Sequence, residues 1–328
     1  MIAPKKTGKK YENWVPTAMI ADGKMTSELW KWVKGGDREK PAEEIPVVKL
    51  DKGSFKEPPA AGLTIRWLGH STALVEIGGR RILVDPVLDQ YASPVHITTK
   101  RFSSAPVRQE DLPHIDAVVL SHDHYDHLEK NTVLHLANTG TLFFVTSGVG
   151  ALLKDWDVRP DQIRELSWWE RSEAQGLTFI CVPARHFSGR GLFNRNETLW
   201  AGWIVRSKTK SMYYSGDTGY ADHFAMIGET YGPFDLTLIK VGAYGDSWPD
   251  IHVNPEQAIK AHTEVKGTVL LPVHWATFPL ALHPWDEPVI RAIKAAKQNN
   301  VRIITPKIGE LVDMDQPFAS QAWWEGVK

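Results

Sequence analysis

The segment Ser121-His122-Asp123-His124-Tyr125-Asp126-His127 constrains this chain most, because imidazoles and carboxylates occupy five of six consecutive positions, 122–127. It follows the apolar run Ala117-Val118-Val119-Leu120, which reads as a buried strand. In an extended or tightly turning segment, residues i and i+2 point the same way. His122 and His124 then converge on one point, while Asp126 and His127 reach a second point nearby. Neutral imidazole and carboxylate are the donors that zinc and related divalent ions take. Packing alone rarely gathers such residues at the end of a strand, so the segment predicts a metal site.

Further donors stand at matching places. His186 follows an apolar run ending at Val182, Asp217 follows Met212-Tyr213-Tyr214-Ser215-Gly216, and His274 follows Val269-Leu270-Leu271-Pro272-Val273. Each sits just past a run, so all of them can project from one edge of a pair of sheets. Strand-like runs fall at 64–68, 73–77, 81–84, 117–120, 142–145, 178–182, 201–205, 211–215, 236–241, 268–273 and 301–305. Helical patterns fall at 130–137, 148–154, 222–230, 255–262 and 288–298. Asn254 is placed to cap the fourth helix, with Pro255 at its first position. A meander of strands followed by strand–helix alternation, repeated twice, predicts two sheets with helices outside them, an α/β architecture. Residues 1–60 differ: they carry scattered lysines and prolines, and only 26–33, with Leu29, Trp30, Trp32 and Val33, reads as a short helix. We expect an N-terminal arm over 1–60 packing on a main domain over 61–328.

Composition narrows the function classes. The 38 Lys+Arg and 39 Asp+Glu give a net charge of −1, which argues against nucleic acid as a partner. The single cysteine, Cys181, lies in an apolar run and is expected as a buried small hydrophobe, not a nucleophile. No stretch approaches the ~18 apolar residues of a membrane span. The first residues hold lysines but no apolar core of a signal peptide. That reading favours a cytoplasmic or peripheral membrane location, or a periplasmic one for a chain that begins after a removed signal. The 14 tryptophans point to large apolar contact surfaces and suggest a groove for a bulky ligand.

With these residues in view a resemblance emerges. His-x-His-x-Asp-His followed by a later His, Asp and His resembles the metallo-β-lactamase superfamily. Trp67-Leu68-Gly69-His70-Ser71-Thr72, Asp85-Pro86, Pro183-Ala184-Arg185-His186, Ser215-Gly216-Asp217-Thr218-Gly219-Tyr220, Gly242-Ala243-Tyr244, His252-Val253-Asn254-Pro255-Glu256 and His274-Trp275-Ala276-Thr277-Phe278 are similar to the branch containing N-acylphosphatidylethanolamine-hydrolysing phospholipase D. The resemblance covers roughly residues 60–315. It implies an αββα sandwich: two mixed sheets with helices on their outer faces. It implies two zinc ions, or iron or manganese in their place. His122, His124 and His186 would hold one ion, Asp126, His127 and His274 the other, and Asp217 would bridge them. Asp126, Asp217 and His252 would take part in catalysis, His252 as a substrate-pocket residue. Asp85 and His70 would stand beside the ligands.

Two Zn²⁺, two carboxylates and a bridging hydroxide leave such a centre near +1, suited to an anionic substrate or an oxyanion-like transition state. The resemblance therefore implies a hydrolase of a small-molecule or lipid phosphodiester. A lactonase or other carboxylic-ester hydrolase on the same centre is the alternative. Peripheral membrane contact and a homodimer stay open. Asp123 is expected to cap the following turn or serve as an outer base. Arg185 and Lys240 are candidates to meet an anionic group, and Lys240 departs from the animal enzyme, where that place is not basic.

Overall fold

The computed structural model describes residues 2–20, 38–95, 99–191 and 193–327. The expected helix at 26–33 lies outside them. The strands with strong apolar runs form two sheets.

In the first sheet, β3 (Leu63–Gly69), β4 (Thr72–Ile77) and β5 (Arg80–Val84) make an antiparallel meander. The parallel strands β6 (Ala117–Leu120), β7 (Leu142–Thr146) and β8 (Ile163–Leu166) continue it, and β15 (Leu311–Asp313) pairs with β3 at the other edge. In the second sheet, β9 (Arg171–Ala174), β10 (Leu177–Pro183), β11 (Ala201–Arg206) and β12 (Ser211–Tyr214) run antiparallel. There β13 (Phe234–Lys240) and β14 (Gly267–Val273) add parallel strands. A small hairpin of β1 (Lys5–Thr7) and β2 (Lys10–Glu12) precedes both sheets.

Strand alternation creates the layers. Along β6, Ala117 and Val119 face the second sheet. Val118 and Leu120 face outward, against Val133 and Leu136 of α1 (Lys130–Ala137) and Val149 and Leu153 of α2 (Val149–Asp155). The second sheet is covered by α3 (His223–Tyr231), α4 (Pro255–Glu264) and α5 (Glu287–Gln298), which contribute Phe224, Ile259 and Val289. The capping box at Asn254 and the proline at the start of α4 are both present. The result is the αββα sandwich, with Cys181 fully buried inside it.

The expected strand at 301–305 is only a single bridge from Leu270 to Ile303. Pro306 follows directly and lacks the N–H that a longer ladder needs. Conversely β8, β9 and β15 carry no long apolar run and were not expected. They lie at or beside sheet edges, where charged residues such as Arg171 and Glu173 keep an edge solvated.

Phe144 of β7 and Phe179 of β10 stack across the sandwich with centroids 3.7 Å apart. Phe144→Ala should destabilise the fold by roughly 3–5 kcal/mol in urea unfolding. A loss below about 1 kcal/mol would show that the layers are not closely packed there.

Candidate metal centre

The donors converge because the strands that carry them end on one side of the sandwich. Asp85 follows β5, His122–His127 follow β6, His186 follows β10, Asp217 follows β12 and His274 follows β14. The chain must turn sharply at these ends. His70, Asp85 and His274 accordingly adopt positive φ values of 52°, 35° and 66°. Such backbone is costly for residues other than glycine and concentrates at functional sites.

The histidine tautomers follow from their partners. The Ser121 hydroxyl donates to Asp85 Oδ2 at 2.5 Å, so it accepts from His122 Nδ1 at 2.9 Å. His186 Nδ1 donates to the Ile251 carbonyl at 3.0 Å. His122 and His186 therefore turn unprotonated Nε2 atoms inward. His124 Nδ1 lies 2.8 Å from one and 3.4 Å from the other. A single proton on His124 can satisfy one of these lone pairs but not both. Burial holds His122 and His186 well below the usual histidine range, so both are neutral.

A second cluster lies beside the first. His127 Nδ1 donates to Asp85 Oδ2 at 2.7 Å, turning Nε2 toward Asp126 Oδ2 at 3.3 Å and Asp217 Oδ2 at 3.4 Å. His274 Nε2 stands 3.0 Å from Asp217 Oδ2 and 3.5 Å from Asp126 Oδ2. His70 Nε2 contacts Asp126 Oδ2 at 2.9 Å. Asp217 Oδ2 also lies 3.8 Å from His186 Nε2, so this carboxylate spans both clusters. Burial alone would raise the pKa of Asp126 and Asp217, but the adjacent His127 and His274 keep both well below the usual range.

These donors fit a cation. His127 Nε2, His274 Nε2 and Asp217 Oδ1 are buried and have no hydrogen-bond partner among the described residues. Potential ligand atoms group as His122–His124–His186 and as His70–Asp126–His127–His274, each within 4.8 Å. Without an ion, Asp217 and Asp126 hold His127 well above the usual histidine range despite its burial, so a proton supplies there the positive charge that a divalent ion held by imidazole and carboxylate would supply. All seven expected ligand residues thus meet at one place, joined by His70.

The surroundings revise several expectations. Asp123 Oδ1 accepts from Gly189 N at 2.7 Å, in the segment after β10, and not from the turn that follows it. Arg185 is not available to a substrate, because Thr17, the Pro16 and Tyr220 carbonyls and Asp250 engage its guanidinium. Lys240 is buried; it donates to the Gly242 carbonyl at 2.8 Å and contacts His252 Nδ1. Burial brings its pKa down to about 8. His252 Nδ1 lies 4.0 Å from Asp217 Oδ2.

A cleft of about 300 Å³ opens over the centre. His124, Asp126, Asp217, His252 and His274 form its floor, with Met19, Phe187, Trp248, Ile251 and Leu280 around them. Most described tryptophans serve the core: Trp67, Trp168, Trp200, Trp203, Trp275 and Trp285 are buried, and Trp248 lines this cleft. The sequence reading missed Tyr214, whose hydroxyl donates to Asp85 Oδ2 at 2.6 Å, and Ser121 as a positioning group. Tyr214 sits mid-run as an ordinary strand aromatic, so no local signal separates it.

Residues 80–275 match the model of the beta-lactamase superfamily domain. The chain belongs to that superfamily. It is a metal-dependent hydrolase of the superfamily's fold. An uncharacterised protein of Mycobacterium tuberculosis is 46% identical over 301 residues, spanning 90% of this chain and 80% of its own. N-acyl-phosphatidylethanolamine-hydrolyzing phospholipase D 1 of Caenorhabditis elegans is 34% identical over 287 residues, spanning 81% and 80%. Among solved structures, the metallo hydrolase Igni18 of Ignicoccus hospitalis superposes with a TM-score of 0.59 at 24% identity, over 79% of this chain and all of its own.

Asp85→Asn should weaken metal retention about ten- to a hundredfold, because the carboxylate accepts from Ser121 N, Ser121 Oγ, His127 Nδ1 and Tyr214 OH and the amide keeps only one acceptor oxygen. Metal analysis after dialysis against a chelator measures this. Unchanged retention would remove Asp85 from the account.

Proposed function

We propose that this hydrolase is a dinuclear zinc phosphodiesterase of phospholipase D type, acting on N-acylphosphatidylethanolamine-like lipids or related diesters. The cleft carries the reading, since a floor of metal donors adjoins an apolar wall of Met19, Phe187, Trp248, Ile251 and Leu280. That pairing suits a substrate with an anionic head and an apolar body. The named activity of the worm relative, similar over most of both chains, supports the same class.

In this reading His122, His124 and His186 would hold one ion and Asp126, His127 and His274 the other, with Asp217 available to both. Divalent ions there would supply Lewis acidity and lower the pKa of their bound water toward about 7; iron or manganese suits the same donors. Asp85 and Ser121 keep His127 and His122 in the tautomer that offers Nε2. Asp126 is oriented by His70. Burial holds His252 neutral, well below the usual histidine range. With Lys240 directed at its Nδ1, the ring proton sits on Nε2, where it can donate to a phosphoryl or departing oxygen.

The zinc-loaded protein should cleave bis(p-nitrophenyl) phosphate and an N-acylphosphatidylethanolamine, and leave an acyl-homoserine lactone and a cephalosporin largely intact. Cleavage of the lactone alone would replace this reading with a lactonase. Asp217→Asn and His124→Ala should each abolish turnover and lower metal content with the circular dichroism spectrum unchanged. Full activity and two ions per chain in either variant would contradict the assignment.

A further inference from the structure

Asn13 is separated from His186 by 173 positions, yet its side chain takes both polar groups of the His186 backbone. Asn13 Nδ2 donates to the His186 carbonyl at 2.8 Å, and Asn13 Oδ1 accepts from His186 N at 3.1 Å. The same oxygen accepts from Nε1 of Trp200, the residue just before β11, at 3.1 Å. The carboxamide therefore acts as a short piece of neighbouring strand, pairing the chain just after β10 where its own ladder has ended. β10 pairs with β11 only as far as Pro183, so His186 has no sheet partner of its own.

The flanking contacts form a strap. Tyr11 N donates to the Asn196 carbonyl at 2.7 Å, and Trp14 Nε1 donates to Asp222 at 2.9 Å. The Trp14 ring meets Trp168 edge-on at 5.4 Å. Arg185, next to His186, is held by Thr17 and the Pro16 carbonyl, and Ala18 N donates to Asp250 at 2.9 Å. The strap ends with Met19 in the cleft wall. From the other side the Ile251 carbonyl fixes His186 Nδ1. His186 is thus positioned by its ring through one segment and by its backbone through another.

We propose that Asn13 is a positioning residue of the metal centre, holding His186 so that Nε2 faces His122 and His124. The N-terminal strap then belongs to the active site, although it lies outside the superfamily span of residues 80–275. The proposal rests on the metal-centre reading but not on any particular substrate. Groups that orient a ligand commonly change metal affinity about ten- to a hundredfold when removed.

The test is zinc release from the full chain to a chromogenic chelator, with metal counted before and after. Asn13→Ala should accelerate release of one of two ions by about ten- to a hundredfold and leave the other near its original rate. Asn13→Asp keeps the acceptor for His186 N and Trp200 but loses the donor, so its effect should be intermediate. It also carries the test if the alanine variant misfolds. Lys5→Ala, which removes an exposed ion pair with Glu12, should leave both rates unchanged. Equal rates in Asn13→Ala and the parent would overturn the proposal. So would parallel acceleration of both ions with a lowered melting temperature, since that signals general loosening. A parent chain that binds no zinc would refute the metal-centre reading itself.

Discussion

The carboxylate of Asp85 is the interaction on which the site depends. It is fully buried and accepts four hydrogen bonds, from Ser121 N, Ser121 Oγ, His127 Nδ1 and Tyr214 OH. A buried carboxylate is costly unless its oxygens are saturated, and here they are. Each bond has a consequence beyond its own energy. The serine hydroxyl, engaged by Asp85, can only accept from His122. The imidazole of His127, engaged at Nδ1, can only turn Nε2 inward. Tyr214 links the arrangement to the second sheet. One group that touches no cleft surface therefore sets ligands in both clusters and joins the two layers.

The backbone supplies the rest of the precision. Strands β5, β6, β12 and β14 point their carboxyl ends the same way, so residues remote in sequence arrive within one small volume. Ligand positions on strand ends are stiffer than positions on long loops, which suits a centre whose donors repel one another without a cation. The positive φ values at His70, Asp85 and His274 are the local cost of stopping the chain there. His70 shows how tightly this is built: its N–H reaches Thr277 Oγ1 at 2.6 Å, and its carbonyl accepts from Trp67 Nε1 and His274 N. Two side chains of the candidate centre, His70 and His274, thus share a backbone bond.

What the sequence made legible was local. The five donors crowded into 122–127, and the His, Asp and His placed just after apolar runs, announce themselves because such types rarely cluster by packing. The apolar runs of β3 to β7 revealed strands that are buried on both faces. Less legible were groups whose meaning lies in a partner far along the chain. Arg185 looks like a free cation until the strap at 16–17 is seen to occupy it. Asn13 has no motif at all, and Lys240 gives no hint that it will be buried against His252. Edge strands β8, β9 and β15 were missed because half-exposed strands carry weak patterns. The tryptophans suggested a groove, whereas most of them fill the interior.

Anomalous diffraction at the zinc absorption edge, on crystals of the zinc-loaded protein, tests the central claim most directly. Two peaks are expected, one bounded by His122, His124 and His186 and one by Asp126, His127 and His274, with Asp217 between them. A single peak, or zinc bound anywhere other than these two clusters, would contradict the account.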